Sequence, residues 1–284
     1  MNTAISIYEV GPRDGLQNLG RTIPLRKKVK LVKRLKKAGL KDIEVGSLVH
    51  PSVTPMRDSG KVFKKTGGDL LVLNRKGLER AKDIGAESIN VVISTSEVFI
   101  QSNQNATYED AKSFYEDMAK EIAINRLYIS CCFSPDTTEE DVLDCVSWGK
   151  DIARHLVLCD TDSSATKDSV YSLCSKALDI TPNIGVHLHV SSDITACMMS
   201  AYDAGIRMFD SSIGGLGGCI SLTSAEGNIA TEILVMWAIG NGIPIKQDID
   251  FDEMMDVGKY AVSLESSNTE RLGRWVSRKI GALL

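Results

Sequence analysis

Two histidines separated by one residue, His187 and His189, sit in the apolar stretch Gly185-Val186-His187-Leu188-His189-Val190. The stretch reads as a buried strand. Side chains alternate faces along a strand, so both imidazoles point the same way. Two imidazoles aimed together can grip a divalent metal. Taken alone, His-x-His reads more simply as two buried histidines donating to neighbouring carbonyls. Acidic, amide and thiol groups elsewhere in the chain tilt the reading toward a metal.

Those groups fall where strands should end. Glu9-Val10-Gly11-Pro12-Arg13-Asp14-Gly15 follows the first strand, Glu44 the second and Asp160-Thr161 the sixth. Gly214-Gly215-Leu216-Gly217-Gly218-Cys219 follows the eighth, and Gly227-Asn228 opens the helix after it. In a parallel barrel the C-terminal ends of the strands form the active face. Each residue alone is an ordinary loop residue; gathered at one end, they mark a site.

The elements that must position them alternate in type. Strands are expected near 4–10, 42–45, 70–73, 88–93, 126–132, 153–159, 185–190 and 207–210. Amphipathic or apolar helices are expected near 25–38, before Ile84, and at 108–124, 138–149, 167–178, 194–204 and 228–239. Near-continuous apolar strands joined by crossover helices predict a parallel sheet buried on both faces. Eight such units predict an α/β fold, a (β/α)8 TIM barrel, which runs to roughly 250 residues. The chain is read as one domain, 1–284, with 251–284 a helical C-terminal extension. An open doubly wound sheet is the second reading, weakened because no Gly-x-Gly-x-x-Gly follows the first strand.

Composition narrows the classes. The chain has 284 residues, 43% hydrophobic and 25% charged, the balance of a globular enzyme. A net charge of −4 argues against a nucleic-acid footprint. The basic run from Arg26 to Lys37 reads mainly as the solvated face of a helix, and secondarily as a surface for a phosphorylated ligand. Seven cysteines, an odd count with no short-spaced framework, argue against a disulfide-stapled secreted domain. No apolar run is long enough to cross a bilayer, and no targeting segment is visible. A cytoplasmic, reducing setting is expected. His155 is expected to be structural, and His50 is assigned no role.

Five motifs carry a family resemblance. Gly11-Pro12-Arg13-Asp14-Gly15-Leu16-Gln17-Asn18 and Gly215-Leu216-Gly217-Gly218-Cys219 resemble the first motif and the cysteine loop of the 3-hydroxy-3-methylglutaryl-CoA lyase family. Ile43-Glu44-Val45-Gly46-Ser47, Ser96-Glu97-Val98-Phe99 with Asn103, and Gly227-Asn228-Ile229-Ala230-Thr231-Glu232 follow the same pattern. The resemblance implies a TIM barrel holding one divalent cation, Mg²⁺ or Mn²⁺, on Asp14, His187, His189 and Asn228. It implies a homodimer acting on an acyl-CoA or 3-hydroxy acid, with no nucleic-acid or membrane partner.

The implied reaction is a reverse Claisen cleavage giving a ketone or keto acid and an acyl thioester. Arg13 would offset the developing enolate charge. Glu44 would hold Arg13, or form a plain structural ion pair. Cys219 would protonate the enolate carbon, although a glycine loop is also read as a phosphate cradle or a flexible turn. His187 is a candidate proton shuttle, and Asp160 a candidate base or ligand-orienting group. Arg13, Gln17, Gly217 and Gly218 are expected to touch substrate.

The chain departs from the family at Val190-Ser191-Ser192-Asp193, Ile220-Ser221-Leu222, Asp162-Ser163-Ser164-Ala165 and Cys132-Phe133-Ser134-Pro135-Asp136. Altered pocket loops beside an intact ligand set predict a changed acyl group or carrier. A condensing acyltransferase, like isopropylmalate or homocitrate synthase, and a catalytically silent metal-binding relative are the alternatives.

Overall fold

In the computed structural model, residues 3–17, 19, 21–96, 99–101, 107–217 and 226–265 are described. Eight parallel strands form one sheet: β1 (Ser6–Glu9), β2 (Glu44–Ser47), β3 (Asp69–Leu71), β4 (Ser88–Ser94), β5 (Ala123–Ser130), β6 (Ala153–Cys159), β7 (Ile184–His187) and β9 (Met208–Ser211). Their order is β1-β9-β7-β6-β5-β4-β3-β2. A parallel bridge between Glu9 and Ile43, with the Glu9 N–H donating to the Asp42 carbonyl at 2.9 Å, brings the two edge strands together. The result is the expected TIM barrel, successive parallel strands joined through an outer layer of helices.

Alternation builds the wall. On β4, Ile89, Val91 and Ile93 are fully buried under the helices, while Asn90 points inward. The helices lie outside: α1 (Leu25–Lys37), α2 (Ser59–Thr66), α3 (Arg75–Asp83), α4 (Tyr108–Glu121), α5 (Glu139–Gly149), α6 (Lys167–Ile180), α7 (Ile194–Ala204), α8 (Thr231–Gly240) and α9 (Phe251–Glu265). Thr107, Thr138 and Thr166 cap α4, α5 and α6 with their hydroxyls. The lumen is different from the wall. Among the described residues Leu71, Tyr128, Val157 and Cys159 form a small apolar cluster there, with Leu73 and Val92 against it. The rest of it is Tyr8, Glu44, Asn90, Arg126, His187 and Asp210, joined by hydrogen bonds and ion pairs.

The structure corrects several boundaries. The helix expected to reach Ile124 ends at Glu121, and β5 begins at Ala123. Ile122 and Ile124 are both buried, and their spacing of two suits a strand as well as a helix, so the periodicity there was ambiguous. The loop behind β2 contains α2, whose Gly60 and polar residues hid it. The seventh strand breaks at Leu188. His187 closes β7, whereas His189–Val190 forms β8, paired antiparallel with β10 (Glu226–Asn228). Asn228 therefore lies on a short strand, and α8 starts three residues later.

The basic face of α1 is not merely solvated. Lys28 is buried, its ammonium bonded to Asp58 and the Pro55 carbonyl. Arg34 and Lys37 both reach Glu253 on α9. That last helix also backs the turn at Gly214, where an added Cβ would lie 3.0 Å from Val262.

Candidate metal centre and active site

β1 ends in a wide helical turn, Gly11–Gly15, opened by Pro12. The Arg13 and Asp14 N–H groups both return to the Val10 carbonyl, at 3.0 and 2.7 Å. The turn aims both side chains into the barrel mouth. The Arg13 Nε donates to Glu44 Oε2, and its Nη1 donates to Asp14 Oδ1 at 2.7 Å. Glu44 is not beyond the end of β2, as expected, but its first residue. It faces inward and accepts Asn90 Nδ2 on its second oxygen at 2.7 Å.

The two imidazoles face each other across the break in the strand, Nε2 to Nε2 at 3.3 Å. One ligand atom from each of Asp14, His187 and His189 lies within 4.8 Å of the others. Two donors bound at right angles to one ion at about 2.1 Å are themselves about 3 Å apart. The imidazole pair is therefore spaced as neighbouring ligands of a single cation. Asn228 completes the ring. Its Nδ2 donates to Asp14 Oδ2 at 2.6 Å and to the Leu216 carbonyl at 3.0 Å. Its Oδ1 is buried and makes no hydrogen bond. A buried amide oxygen without a donor is costly. A cation between it, Asp14 and the imidazoles would satisfy it, so the residues present fit the group.

Gly217 makes this approach possible. Its φ is +97°, and a Cβ there would sit 2.7 Å from Asn228 Nδ2. Any side chain would both strain the backbone and displace the amide.

Electrostatics agree with metal-ligand chemistry. Burial opposes the charge of Asp14, but Arg13 and then His187 outweigh it and hold the carboxyl near 2. Burial, then the neighbouring His187, lowers His189 to about 4, so it is neutral near pH 7. His187 moves the other way. Burial lowers it, but Asp210, whose Oδ2 is 3.4 Å from Nδ1, raises it overall. Asp160 is raised to about 6, chiefly by burial, although its carboxylate accepts the Ala165 N–H at 3.0 Å.

Of the expected residues, the structure brings Arg13, Asp14, Glu44, His187, His189, Asn228 and Gly217 together. Asp160 is adjacent, its N–H bonded to the His187 carbonyl at 2.9 Å, and its carboxylate shapes the 161–165 turn. Gln17 follows the wide turn, with Oε1 buried and unbonded. Gly218 and Cys219 lie outside the described residues. His155 sits on β6, paired in register with Arg126. Asp210, Arg126 and Asn90 were missed. The signal was available: Arg126-Leu127-Tyr128-Ile129 places a charge inside an apolar strand, which points it into the lumen.

A parallel barrel with a carboxylate and two imidazoles at its mouth defines a class, the metal-site TIM-barrel enzymes. Within that class, the chain belongs to the HMGL-like family, whose model matches residues 4–260. It is 30% identical to the hydroxymethylglutaryl-CoA lyase of Pseudomonas mevalonii over 95% of this chain and 96% of that one. It is also 30% identical to the (R)-citramalyl-CoA lyase of Chloroflexus aurantiacus, covering 87% of each. An HMG-CoA lyase from Acenitobacter baumannii, solved with coenzyme A and 3-methylmalate, superimposes with a TM-score of 0.86 at 28% identity, over 93% of this chain and 92% of the other. The relatives are acyl-CoA lyases rather than condensing enzymes. Among the described residues, no helix is long and apolar enough to cross a membrane.

Proposed function

We propose that this enzyme cleaves the C2–C3 bond of a 3-hydroxyacyl-CoA, with Asp14, His187, His189 and Asn228 holding one Mg²⁺ or Mn²⁺. The observation that carries the reading is the convergence of those four side chains beside Arg13. Carboxylate, imidazole and amide donors suit either ion. When bound, a divalent cation supplies Lewis acidity toward the substrate's alcohol and carbonyl oxygens. Both relatives are named as lyases of acyl-CoA thioesters, and a hydroxyl at C3 is the feature this chemistry needs.

The chain's own residues divide the work. Arg13 is fixed by Glu44 and Asp14, and Nη2 takes part in neither bond, leaving N–H groups for the thioester oxygen as negative charge develops there. Glu44 orients that guanidinium and is itself held by Asn90. The alcohol proton must leave as the C3 carbonyl forms and the C2–C3 electron pair moves into the thioester enolate. Asp160, held near 6, is the base at hand, since His187 is engaged as a ligand. C2 then takes a proton, the role proposed for Cys219 on its glycine loop. Gln17, Gly217 and Gly218 are proposed to line the substrate's path.

The altered loops at 132–136, 162–165, 190–193 and 220–222 support an acyl group or carrier different from 3-hydroxy-3-methylglutaryl-CoA. A panel of 3-hydroxyacyl-CoA thioesters with Mg²⁺ or Mn²⁺, followed by mass spectrometry of the products, tests this. Cleavage of at least one to an acyl-CoA and a carbonyl compound is expected. No cleavage of any member by metal-loaded protein would overturn it. Among the described residues six cysteines are buried and free, which supports a reducing, cytoplasmic setting. A homodimer, which the family resemblance implies, belongs to the same proposal, and sedimentation would check it.

A further inference from the structure

Asp210 is the penultimate residue of β9, and its side chain is fully buried. Oδ1 pairs with Arg126 Nη2. Oδ2 makes no hydrogen bond and lies 3.4 Å from His187 Nδ1. On the far side of that ring, Nε2 faces His189. Arg126 is held as firmly. It is 3% exposed, and its guanidinium carbon lies 3.8 Å from the Tyr8 ring centroid and 5.5 Å from that of Tyr128. The Tyr8 hydroxyl donates to Asp69 at 2.6 Å and accepts from Asn90 at 2.9 Å, so the ring under the guanidinium is itself pinned.

We propose that Asp210 and Arg126 are positioning residues that orient His187 for cation binding, Asp210 by accepting the Nδ1 proton and Arg126 by holding Asp210 in place through their ion pair. The inference rests on the proposed cation site and extends it one layer down. A neutral imidazole carries its proton on one nitrogen only, and the hydrogen bond made by one nitrogen decides what the other does. A carboxylate at Nδ1 puts the proton there and leaves the Nε2 lone pair directed at His189 and Asp14. A carboxylate buried this deeply is costly without a cation beside it. Arg126 is that cation, and its flat face between two tyrosine rings stops it swinging away. The buried Oδ2, which has no hydrogen-bond partner and lies 3.4 Å from Nδ1, is the feature this role explains.

Two measurements test it. The first uses the wild-type protein without metal at pH 8. Long-range ¹H–¹⁵N correlations of its histidines should show His187 protonated on Nδ1 with Nε2 bare; a proton on Nε2 overturns the proposal. The second titrates Mn²⁺ into folded wild-type and Asp210→Asn protein. The variant should bind 10–100-fold more weakly, the usual cost of losing such a partner. Arg126→Lys, which keeps the charge but loses the stacked fork, should fall between. A role in stability alone would lower the melting temperature and leave Mn²⁺ affinity within twofold of wild type, and that result contradicts the proposal. If wild-type protein binds no Mn²⁺, the cation site itself is refuted. If Asp210→Asn does not fold, the tautomer of His187 still decides.

Discussion

Two arginines occupy the barrel lumen, and their surroundings differ in count. Arg13, at the mouth, pairs with two carboxylates, Glu44 and Asp14. Arg126, deeper down, pairs with one, Asp210, and is covered by the Tyr8 and Tyr128 rings. The deep pair is neutral and closed. The mouth retains one negative charge, and one of its carboxylates, Asp14, also lies among the imidazole ligand atoms. Depth thus separates two uses of the same side chain. A guanidinium with surplus acid around it prepares a place for a cation and an anionic substrate. A guanidinium matched one to one holds a scaffold still.

If that contrast is right, the largest effect belongs to Arg13→Met. Turnover should fall by about 10²–10³ or more, as when one preorganised donor to a developing anion is lost. Mn²⁺ affinity should change only a few-fold, since Asp14 remains. Steady-state rates and a metal titration on one preparation check both halves, and equal losses in rate and affinity would erase the distinction.

Next comes Arg126→Met, which leaves Asp210 buried without its cation. A broken buried pair costs about 3–5 kcal/mol. Urea denaturation should show that loss, and the double variant Arg126→Met/Asp210→Leu should recover most of it while Mn²⁺ binding stays weak. Recovery of both stability and metal binding would show that the pair positions nothing.

A smaller, pH-dependent effect is expected at Glu9. It is fully buried and accepts from the Gly11 and Ile213 N–H groups and the Thr231 hydroxyl. Burial nevertheless raises it from an ordinary value of 4.5 to about 8, with those bonds offsetting part of the shift. The folded state therefore holds a proton that the unfolded chain releases. Stability from this group is complete below about 4.5 and is lost as pH rises toward 8. Denaturation midpoints of Glu9→Gln should depend less on pH across that window than those of wild type. Parallel curves would count against it. The smallest effect is expected at Arg75, whose exposed pair with Glu121 is screened by solvent. Arg75→Ala should leave the midpoint unchanged within error.

The barrel was legible because its wall is apolar and periodic. Ile89, Val91 and Ile93 announce a strand in any window, and the glycines after helices mark the crossovers. The ligand types were legible too, because His-x-His and Asp14 fall at strand ends and Asn228 at the expected start of a barrel helix. Their geometry was not. Nothing local says that the strand must break at Leu188 so that His189 can pair with Asn228, since that pairing joins residues 39 positions apart. Asp210 and Arg126 escaped for the same reason. Each looks like a stray charge until the fold brings together two residues 84 positions apart. Contacts this distant depend on closure of the whole sheet, and residue spacing does not encode them.

The account stands on four side chains sharing one cation. Electron spin echo of Mn²⁺-loaded protein measures this most directly, because it counts nitrogens bound to the ion. One tightly bound Mn²⁺ per chain, coupled to two imidazole nitrogens and to only one in His189→Ala, is the predicted result. Mn²⁺ that shows no imidazole coupling, or binds equally well after Asp14→Ala and Asn228→Ala, would contradict it.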